Sequence, residues 1–231
     1  MKLKKYLSYF SKFEWGLWGF SFCLILISFL CSGDFYPLTL VASLVGVTAL
    51  IFIAKGNVIG QFLIILFSIL YGIISIRNRY YGEMATYLFM SAPSAIIACI
   101  HWLKNPSDKG FSEVKIGSLS KKKLLFTCGM AAVVTVVFYF VLKYFHTNVL
   151  WLSTVSVTTS FFAAILLIYR SPYYALAYVA NDLVLVGLWI FAAVNDLSYL
   201  PMIVCFSAFL CHDTYSFYNW KKMEKRQKQE K

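Results

Sequence analysis

Charged residues are scarce in this chain of 231 residues. They make up 13% of the sequence, whereas hydrophobic residues make up 60%. Soluble domains contain about 25% charged and about 45–50% apolar residues, so this composition excludes an ordinary soluble fold. It predicts an all-α protein that crosses the membrane several times. Few residues are left for a soluble part, and we therefore expect one membrane domain over residues 1–231.

Signatures of catalysis and metal binding are also absent from the sequence. The six cysteines form no C-x-x-C pair, and no cysteine–histidine cluster has the spacing of a zinc site. There is no H-E-x-x-H, no G-x-S-x-G and no glycine-rich phosphate loop. We therefore predict no catalytic residues, no bound metal and no cofactor. An intramembrane enzyme built around an acid within a span stays open as an alternative.

Long apolar runs fill most of the chain, and each is close to the roughly 17–25 residues that a membrane helix needs. The predicted spans are residues 16–31, 37–54, 57–76, 83–102, 124–142, 149–169, 174–194 and 198–218. After one extra N-terminal span, a triplet (37–102), a linking span (124–142) and a second triplet (149–218) follow. A single linking span gives both triplets the same orientation, which predicts a parallel structural repeat.

Lysine and arginine residues indicate the orientation of these spans. All but three of the 21, namely all except Arg77, Arg79 and Lys143, lie on the same side as the N-terminus. The positive-inside rule then predicts that both termini lie in the cytoplasm, in a protein of the plasma membrane. The basic tail, residues 219–231, is interpreted as a topology signal that contacts the lipid bilayer, not nucleic acid.

Polar residues occur where a membrane span should have few of them. The segment YVANDLVLVGLW, residues 178–189, places Asn181 and Asp182 side by side, and Asp213 is a second acid within a span. An ionised group at the bilayer centre costs at least ~2.5–3.5 kcal/mol, so such groups usually face the bundle interior or a wet cavity. Helical periodicity places Tyr178, Asp182 and Trp189 on one face. This pattern predicts a pocket that hydrogen-bonds a polyol and stacks a flat ring.

The candidate substrate-binding residues come from four of the predicted spans. They are Gln61, Tyr71, Thr86, Tyr87, Asn181, Asp182, Trp189, Asp213 and Tyr215. Structural alternatives stay open for several of them. Gln61 and Asn181 are also typical of hydrogen bonds between membrane helices, and Trp189 is also typical of a helix core. Two neighbouring features have structural interpretations as well: Glu83 can pair with Arg79, and the hydroxyl-rich run 153–160 favours close helix packing.

Several segments resemble the PnuC-type nicotinamide riboside transporters. They are GNVIGQFLIILFSILYGIISI (56–76), YYGEMATYLFMSAP (80–93), HWLKNP (101–106), RSPYYALAYVANDLVLVGLWI (170–190) and CFSAFLCHDTYSFYNWKKM (205–223). The resemblance covers nearly the whole chain from the second span onward and is weaker at the N-terminus. It implies two three-helix bundles joined by one helix, similar in architecture to sugar carriers of the SWEET type.

The resemblance also implies a function and an assembly. Members of the family form trimers and carry a small vitamin-like nucleoside inward by facilitated diffusion, after which a cytoplasmic kinase phosphorylates and traps it. Their pocket lies in mid-membrane and uses amide and aromatic side chains, and Asn181, Asp182 and Trp189 match its seventh-span motif. The residues that match the other motifs are Tyr71, Gly72, Tyr81, Gly82, Glu83, Pro93, Asp213, Tyr215, Asn219 and Trp220.

The sequence also departs from the family pattern. Phe67 and Tyr87 stand where many relatives carry asparagine, Ala95 stands where they carry glutamine, and His212 occupies a position that is often asparagine. The first bundle thus has fewer amide side chains than is usual in the family. Thiamine, or a nucleoside other than nicotinamide riboside, therefore stays open as the substrate. A non-transporting sensor or assembly protein, which docks a partner through the basic tail, stays open as an alternative of another class.

Overall fold

Eight helices run through the part of the chain that the computed structural model describes, residues 9–32, 37–77, 80–108, 110–147, 149–194 and 196–230. They are α1 (Lys12–Cys31), α2 (Pro37–Ala54), α3 (Ile59–Arg77), α4 (Tyr81–Leu103), α5 (Lys121–Tyr144), α6 (Leu150–Ile168), α7 (Tyr174–Ala193) and α8 (Leu200–Gln229). The predicted all-α architecture with eight helices is confirmed.

Seven of these helices, α1 to α7, are long and apolar enough to cross a membrane. The eighth predicted span, residues 198–218, corresponds to the first part of α8, which extends over 30 residues. This helix is not among the seven, and polar residues of its first part, including His212 and Asp213, lower the hydropathy of that stretch. The basic tail is therefore not a separate segment but the continuation of α8.

Local sequence signals account for several helix ends. Ser11 and Glu14 form a reciprocal capping box at the start of α1, which satisfies backbone N–H groups that have no helical partner. The break between α2 and α3 depends on Gly56, whose φ of +68° is strained for residues with a Cβ atom. Asn57 then accepts a hydrogen bond from the Ile59 N–H at 2.9 Å and caps α3.

Six of the helices form a closed ring in the order α2–α3–α4–α6–α7–α8. Within each triplet the middle helix, α3 or α7, packs against both of its neighbours, and the triplets meet where α4 packs on α6 and α8 packs on α2. Each seam joins the third helix of one triplet to the first helix of the other, so the two seams are equivalent, as a repeat requires. Outside the ring, α1 packs against α2 and α8, and α5 packs against α6.

The fourth helix contains a wide turn that the apolar pattern did not predict. Residues Tyr87–Ser91 form one turn of π-helix, in which the Ala92 N–H reaches back to the Tyr87 carbonyl. Pro93 follows directly, and a proline lacks the N–H that a regular α-helix would use at this point. Single π turns inside α-helices are frequent at functional sites, and this one lies beside the centre of the ring.

A small β-hairpin replaces part of the loop that was predicted at residues 103–123. Strand β1 (Pro106–Ser107) pairs antiparallel with β2 (Gly110–Val114). The hairpin is fixed to the helices, because the Val114 N–H donates to the Gly56 carbonyl at 2.9 Å. On α8, Arg226 and Gln227 both bind the Glu113 carboxylate. The long loop and the tail therefore form one folded unit at the end of the ring.

Candidate functional site

A small cavity lies at the centre of the six-helix ring, and all six helices contribute to its wall. We call it the central cavity. Its lining residues are Leu50, Ile53, Gln61, Ile64, Phe67, Ser68, Tyr87, Ser91, Ser94, Ala95, Ser160, Leu167, Tyr174, Tyr178, Asn181, Asp182, Phe209 and Asp213. Five of the nine candidate residues, Gln61, Tyr87, Asn181, Asp182 and Asp213, are among them.

The size of the central cavity indicates a closed conformation. Its volume is about 50 Å³. A single water needs roughly 10–15 Å³ on this measure, whereas pockets for small organic ligands have about 300–1,000 Å³. The cavity therefore has room for a few water molecules, and a drug-sized ligand would fit only if the helices moved apart.

Asn181 is held in place by the hydroxyl-rich run of α6. Its Oδ1 accepts hydrogen bonds from the Ser160 hydroxyl at 2.8 Å and the Thr159 hydroxyl at 2.9 Å, with Ser156 at 3.5 Å. The run 153–160 thus supplies donors between helices, as the structural interpretation expected, and it also positions a residue of the cavity wall. The described residues accept no hydrogen bond from the Asn181 amide NH₂ group, which remains free for a ligand or water.

Gln61 and the two acids are buried without matching partners. Gln61 is 0% exposed, and neither its Oε1 nor its Nε2 has a hydrogen-bond partner in the described part of the chain. Asp182 and Asp213 are 3% and 2% exposed, and their carboxyl groups are in hydrogen-bond contact with each other. A buried polar group without a partner costs about 1–3 kcal/mol, so a polar ligand or water in the cavity would relieve this cost.

Aromatic rings form one side of the cavity in two layers. Phe67 and Tyr87 line the cavity, and their rings meet edge to face with centroids 5.7 Å apart. Behind them, Tyr71 lies 4.3 Å from Tyr87 between ring centroids. Its hydroxyl accepts a hydrogen bond of 3.0 Å from the Trp189 indole N–H. Trp189 also packs edge to face on Tyr80. Tyr71 and Trp189 are therefore in the second layer, away from the cavity surface.

Tyr215 and Thr86 also lie away from the cavity. The Tyr215 hydroxyl donates to Glu14 Oε1 at 2.7 Å, and Lys55 binds the same carboxylate at 3.2 Å, so Tyr215 ties α8 to α1. Thr86 is buried within α4. On the α1 side of α8, His212 Nε2 lies 3.2 Å from the Ser21 hydroxyl, in keeping with a hydrogen-bonded structural histidine.

Glu83 is more deeply buried than its predicted position at the end of a span suggested. It is 1% exposed, and its carboxyl group lies near Ser156 of α6. The predicted partner, Arg79, lies outside the described residues. Glu83 does not line the central cavity, although it lies on the same helix as Tyr87, one turn earlier.

Several residues that line the central cavity were not among the nine predicted candidates. Periodicity had placed Tyr178 on the face of Asp182, although it was not among the nine candidates, and Tyr174 lies one turn earlier on the same face. Ser91 and Ser94 reach the cavity from the π turn and the helix after it, and no pattern in the sequence indicates that turn.

A second cavity, the tail-side cavity, lies between the hairpin, the loop before α7 and the end of α8. Its volume is about 800 Å³ and its wall is strongly charged. Its charged lining residues are Asp108, Lys115, Arg170, Lys221, Glu224, Lys228 and Glu230. Glu224 binds both Lys221 and Lys228 at 2.9 Å, so much of this charge is neutralised locally.

Comparisons with known proteins agree with this architecture. The sequence model of the family described as "Nicotinamide mononucleotide transporter" matches residues 36–222. The chain is 27% identical over 191 residues to a nicotinamide riboside transporter PnuC of Neisseria mucosa, a match that covers 80% of this chain and 72% of the relative. It is 25% identical over 190 residues to a nicotinamide riboside transporter PnuC of Haemophilus influenzae, covering 82% and 81%.

The fold is similar to a solved structure. A crystal structure of the vitamin B3 transporter PnuC superimposes with a TM-score of 0.82 over 94% of both chains, at 24% identity. This likeness supports the helix arrangement. Because the family model spans well over half of the chain, this multi-pass membrane protein belongs to the nicotinamide mononucleotide transporter family and is a membrane transporter, not an enzyme.

Proposed function

We propose that the protein takes up nicotinamide riboside by facilitated diffusion and that a cytoplasmic kinase then traps the substrate by phosphorylation. The observation that carries the proposal is the central cavity itself. There Gln61 is buried with no hydrogen-bond partner among the described residues, and Asp182 and Asp213 are buried with one carboxyl oxygen each left without a partner. The relatives that match over most of this chain are named nicotinamide riboside transporters.

The chemistry of the cavity wall suits each part of this substrate. Gln61 and the free amide NH₂ group of Asn181 can hydrogen-bond the ribose hydroxyls. The pyridinium ring carries a positive charge, which Asp182 and Asp213 favour. The faces of Tyr87 and Tyr178 can contact the flat cationic ring. In this arrangement Trp189 supports the aromatic wall through Tyr71 and does not stack on the ligand.

The charge of the wall favours the riboside over its phosphorylated form. Among the described residues, two acids and no lysine or arginine line the central cavity. A phosphate group placed beside Asp182 and Asp213 would meet like charges and no compensating cation. We therefore expect nicotinamide mononucleotide to bind much more weakly than the riboside, although the matching family is described as a nicotinamide mononucleotide transporter.

Substrate entry requires the ring to open. The triplets meet only at the α4–α6 and α8–α2 seams among the stronger helix contacts of the described chain. We propose that the two triplets rock against each other about the central cavity, as in carriers built from repeats. This motion would open the cavity to one side of the membrane at a time. Transport of this kind needs only a concentration gradient of the substrate.

Binding and uptake by the purified protein test the proposal. Nicotinamide riboside, nicotinamide mononucleotide and thiamine are titrated by calorimetry, and riboside uptake is followed in liposomes without an imposed ion gradient. We expect binding and uptake of the riboside. Binding of thiamine alone would assign the alternative substrate, and binding of the mononucleotide in preference to the riboside would contradict the proposed charge selection.

The sensor or assembly alternative depends on a free basic tail, and the contacts of the tail argue against it. Arg226 binds Glu113, and Gln227 donates to the Val114 carbonyl at 3.1 Å. Met223 is buried against Gly56. Deletion of residues 223–231 would therefore disturb the fold. Point substitutions of the exposed Lys222 and Lys225 are a cleaner test: the sensor alternative predicts loss of function, and transport predicts little change.

Orientation and assembly are also part of the proposal. The distribution of lysine and arginine supports cytoplasmic termini, and the family resemblance supports a homotrimer. The outer helix α5 exposes many large apolar side chains, which suits contact with lipid or with another copy. Accessibility of a cysteine introduced at Lys225, measured in intact cells, tests the orientation. The mass of the detergent-solubilised protein, measured by light scattering, tests the trimer.

A further inference from the structure

An unpaired positive charge lies at the wall of the tail-side cavity. Arg170 is half-buried between α6 and α7, and its Nε and Nη1 atoms are buried without a hydrogen-bond partner among the described residues. No acid in the described part of the chain forms an ion pair with it. A half-buried charge without a partner is costly, so an anion in this cavity would stabilise the protein.

Arg170 also occupies a backbone position where glycine is the usual residue. Helix α6 ends in a Schellman motif, in which the Arg170 N–H donates to the Leu167 carbonyl at 2.9 Å and the Ser171 N–H donates to the Leu166 carbonyl at 3.0 Å. This motif gives Arg170 a φ of +57°, in the left-handed region. A residue with a Cβ atom is strained there, so the stability of the turn does not explain the arginine.

A buried hydroxyl and a helix N-terminus lie beside this arginine. Ser171 is 1% exposed, lines the tail-side cavity, and its Oγ has no hydrogen-bond partner among the described residues. Residues Ser171–Tyr173 lead directly into the 20-residue helix α7, so the start of this helix lies at the same wall. Unpaired N–H groups and the helix dipole favour an anion at such a position. The three features together provide donors for one phosphate group.

The other charges of the cavity wall largely compensate each other. Glu224 is bound by two lysines of α8, and Glu230 Oε1 lies 3.8 Å from Arg226 Nε. The remaining lining charges are Lys115 and Asp108, which have opposite signs and are both exposed. The unpaired guanidinium is therefore the one half-buried cation of this wall that no described acid compensates.

The size and the neutral lining of the tail-side cavity suit a soluble ligand. Its volume of about 800 Å³ lies in the range of about 300–1,000 Å³ that is typical of sites for small organic molecules. The side chains of Asn105, Ser107 and Ser118 add neutral polar groups to the wall, and these can bind sugar hydroxyls. A phosphorylated sugar or a nucleotide fits this chemistry better than the acyl chains of a lipid.

We propose that the tail-side cavity binds the phosphate group of a water-soluble phosphate ester, with Arg170, Ser171 and the N-terminus of α7 as its donors. In the proposed orientation this cavity faces the cytoplasm. The trapping kinase of the proposed function forms a phosphate ester of the substrate on that side. The chemical class of the ligand therefore includes the product of trapping.

The position of the site gives binding a consequence for transport. The segment after the hairpin connects the two triplets: the Val114 N–H donates to the Gly56 carbonyl at the α2–α3 turn, and the Gly117 N–H donates to the Arg170 carbonyl at the α6–α7 turn. A ligand held by Arg170 and Lys115 would add a further tie between these two ends. Because rocking of the triplets must move the ends relative to each other, a bound ester should slow riboside uptake. This effect rests on the proposed function, whereas binding of the ester does not.

Calorimetric titration of the intact protein in phosphatidylcholine nanodiscs tests the site. The probes are ribose 5-phosphate and inorganic phosphate, and ribose is the matched ligand without a phosphate group. We expect both phosphate compounds to bind and ribose not to bind. Arg170→Gly should weaken ribose 5-phosphate binding by about 10- to 100-fold, since a charged hydrogen-bond donor is lost. Ser171→Ala should weaken it by about fivefold.

Arg170→Gly is also a test of folding. Glycine is the residue that the Schellman motif prefers, so the unfolding temperature of the variant without ligand should equal or exceed that of the native protein. Lys12→Gln removes one exposed positive charge from α1, outside the cavity lining, and should leave phosphate binding unchanged. Nicotinamide mononucleotide is itself a phosphate ester. Binding of it that is lost in Arg170→Gly belongs to this site and not to the central cavity.

Riboside uptake into liposomes tests the consequence for transport. Ribose 5-phosphate is present on both sides of the membrane, so that every orientation of the protein meets it. Uptake by the native protein and by Lys12→Gln should slow, whereas uptake by Arg170→Gly should not respond to the ester. If the riboside is not taken up at all, the proposed function is wrong, and the calorimetric titration still decides the phosphate site.

Several outcomes would overturn the site. One is a folded native protein that binds neither phosphate compound, and another is equal binding by native protein and Arg170→Gly. A clearly less stable Arg170→Gly protein would assign the arginine a structural role instead. If phosphatidic acid in the nanodiscs stabilises the native protein but not Arg170→Gly, and ribose 5-phosphate does not bind, the phosphate group belongs to a lipid and the soluble source is wrong. Binding of the ester without slower uptake would overturn the tie between the triplets.

Discussion

The two cavities of this protein treat acidic residues in opposite ways. In the tail-side cavity, Glu224 is bound by Lys221 and Lys228, and Glu113 of the adjoining hairpin is bound by Arg226. In the central cavity, Asp182 and Asp213 face each other, and the lining contains no lysine or arginine from the part of the chain that the structure describes. The first arrangement stabilises the fold at a solvent-exposed surface, whereas the second leaves two buried acids without a facing lysine or arginine among the described residues.

Solvent exposure explains this difference between the two cavities. Ion pairs at an exposed protein end contribute little to stability, about 0–1 kcal/mol each, because water and salt already screen the charges. Inside the ring, the same charges interact strongly and are costly to leave unmatched. Substitutions that remove acids should therefore affect substrate binding strongly in the central cavity and weakly at the tail side.

Asp182→Asn should have the largest effect on binding. Loss of a charged hydrogen-bonding partner removes about 1.5–3 kcal/mol, which weakens riboside affinity by about 10- to 100-fold. Asp213→Asn should act in the same direction. Calorimetric titration of the purified variants measures the effect, with Glu83→Gln as the control for loss of a buried acid elsewhere. Affinity within twofold of the native value in both aspartate variants would show that the two acids do not bind the substrate.

Gln61→Leu should change stability and binding in opposite directions. The amide is fully buried without partners, so an apolar side chain of similar size should raise the unfolding free energy of the empty protein by about 1 kcal/mol. Riboside affinity should fall by about tenfold, since hydrogen bonds to the ligand are lost. Thermal unfolding and calorimetry give the two values.

The control for Gln61→Leu is Ile64→Leu, a volume-conserving change of an apolar lining residue on the same helix. It should leave both quantities nearly unchanged. A Gln61→Leu protein that is less stable than the native one would show that the amide has a partner in the empty state, and its role as a ligand group would then be withdrawn.

Trp189→Phe should affect stability more than binding. It removes the hydrogen bond from the indole N–H and leaves the buried Tyr71 hydroxyl unpaired, at a cost of about 1–3 kcal/mol in unfolding free energy. Because Trp189 lies behind Tyr71, riboside affinity should change by less than about threefold. Trp151→Phe, at an exposed position on α6, is the control for stability. A large loss of affinity with unchanged stability would restore Trp189 to the binding surface.

Trp189 also shows where prediction from sequence reaches its limit. The shared helix face of Tyr178, Asp182 and Trp189 was predicted correctly, and all three side chains point into the ring. A helix rises 1.5 Å per residue, so the seven residues from Asp182 to Trp189 span about 10 Å, which is longer than a small central cavity. Periodicity gives the direction of a side chain but not the depth at which a cavity ends.

Tyr215 was a predicted candidate that does not line the central cavity, for a related geometric reason. It follows Asp213 by two residues, which is about 200° around a helix, so the two side chains face opposite sides. Asp213 faces the cavity and Tyr215 faces Glu14 on α1. The family motif contains both residues and does not separate a ligand-binding role from a structural one. By contrast, hydropathy was enough to predict the helices, and the cost of burying polar groups was enough to select Asn181, Asp182 and Asp213, which line the central cavity.

Local features of the chain were less predictable. The π turn at Tyr87–Ser91 and the hairpin at residues 106–114 are short, and their stability depends on contacts with residues far away in the sequence. The Glu113 and Arg226 side chains that fix the hairpin are 113 residues apart. A pattern within a short window contains no information about such a pair.

Glu224→Gln should have the smallest effect and completes the comparison of the two cavities. Burial raises the pKa of Glu224, but the hydrogen bonds from Lys228 and Lys221 outweigh burial and hold the pKa below its usual value. Its stabilising contribution is therefore present above the ordinary carboxyl pKa and is lost as the pH falls through the lower value of the folded protein. The substitution should lower the unfolding free energy by at most about 0.5 kcal/mol at neutral pH and leave riboside affinity unchanged.

Glu113→Gln provides the internal reference, because Glu113 is more buried than Glu224 and binds both Arg226 and Gln227. It should destabilise the protein by about 1–3 kcal/mol, since it weakens a charged hydrogen-bond network, again without a change in riboside affinity. Thermal unfolding at pH 7 and pH 4 should show the difference between native protein and Glu224→Gln narrowing at the lower pH. If Glu224→Gln instead weakened riboside binding as strongly as Asp182→Asn, the tail-side charges would belong to the substrate path, and the contrast between the two cavities would fail.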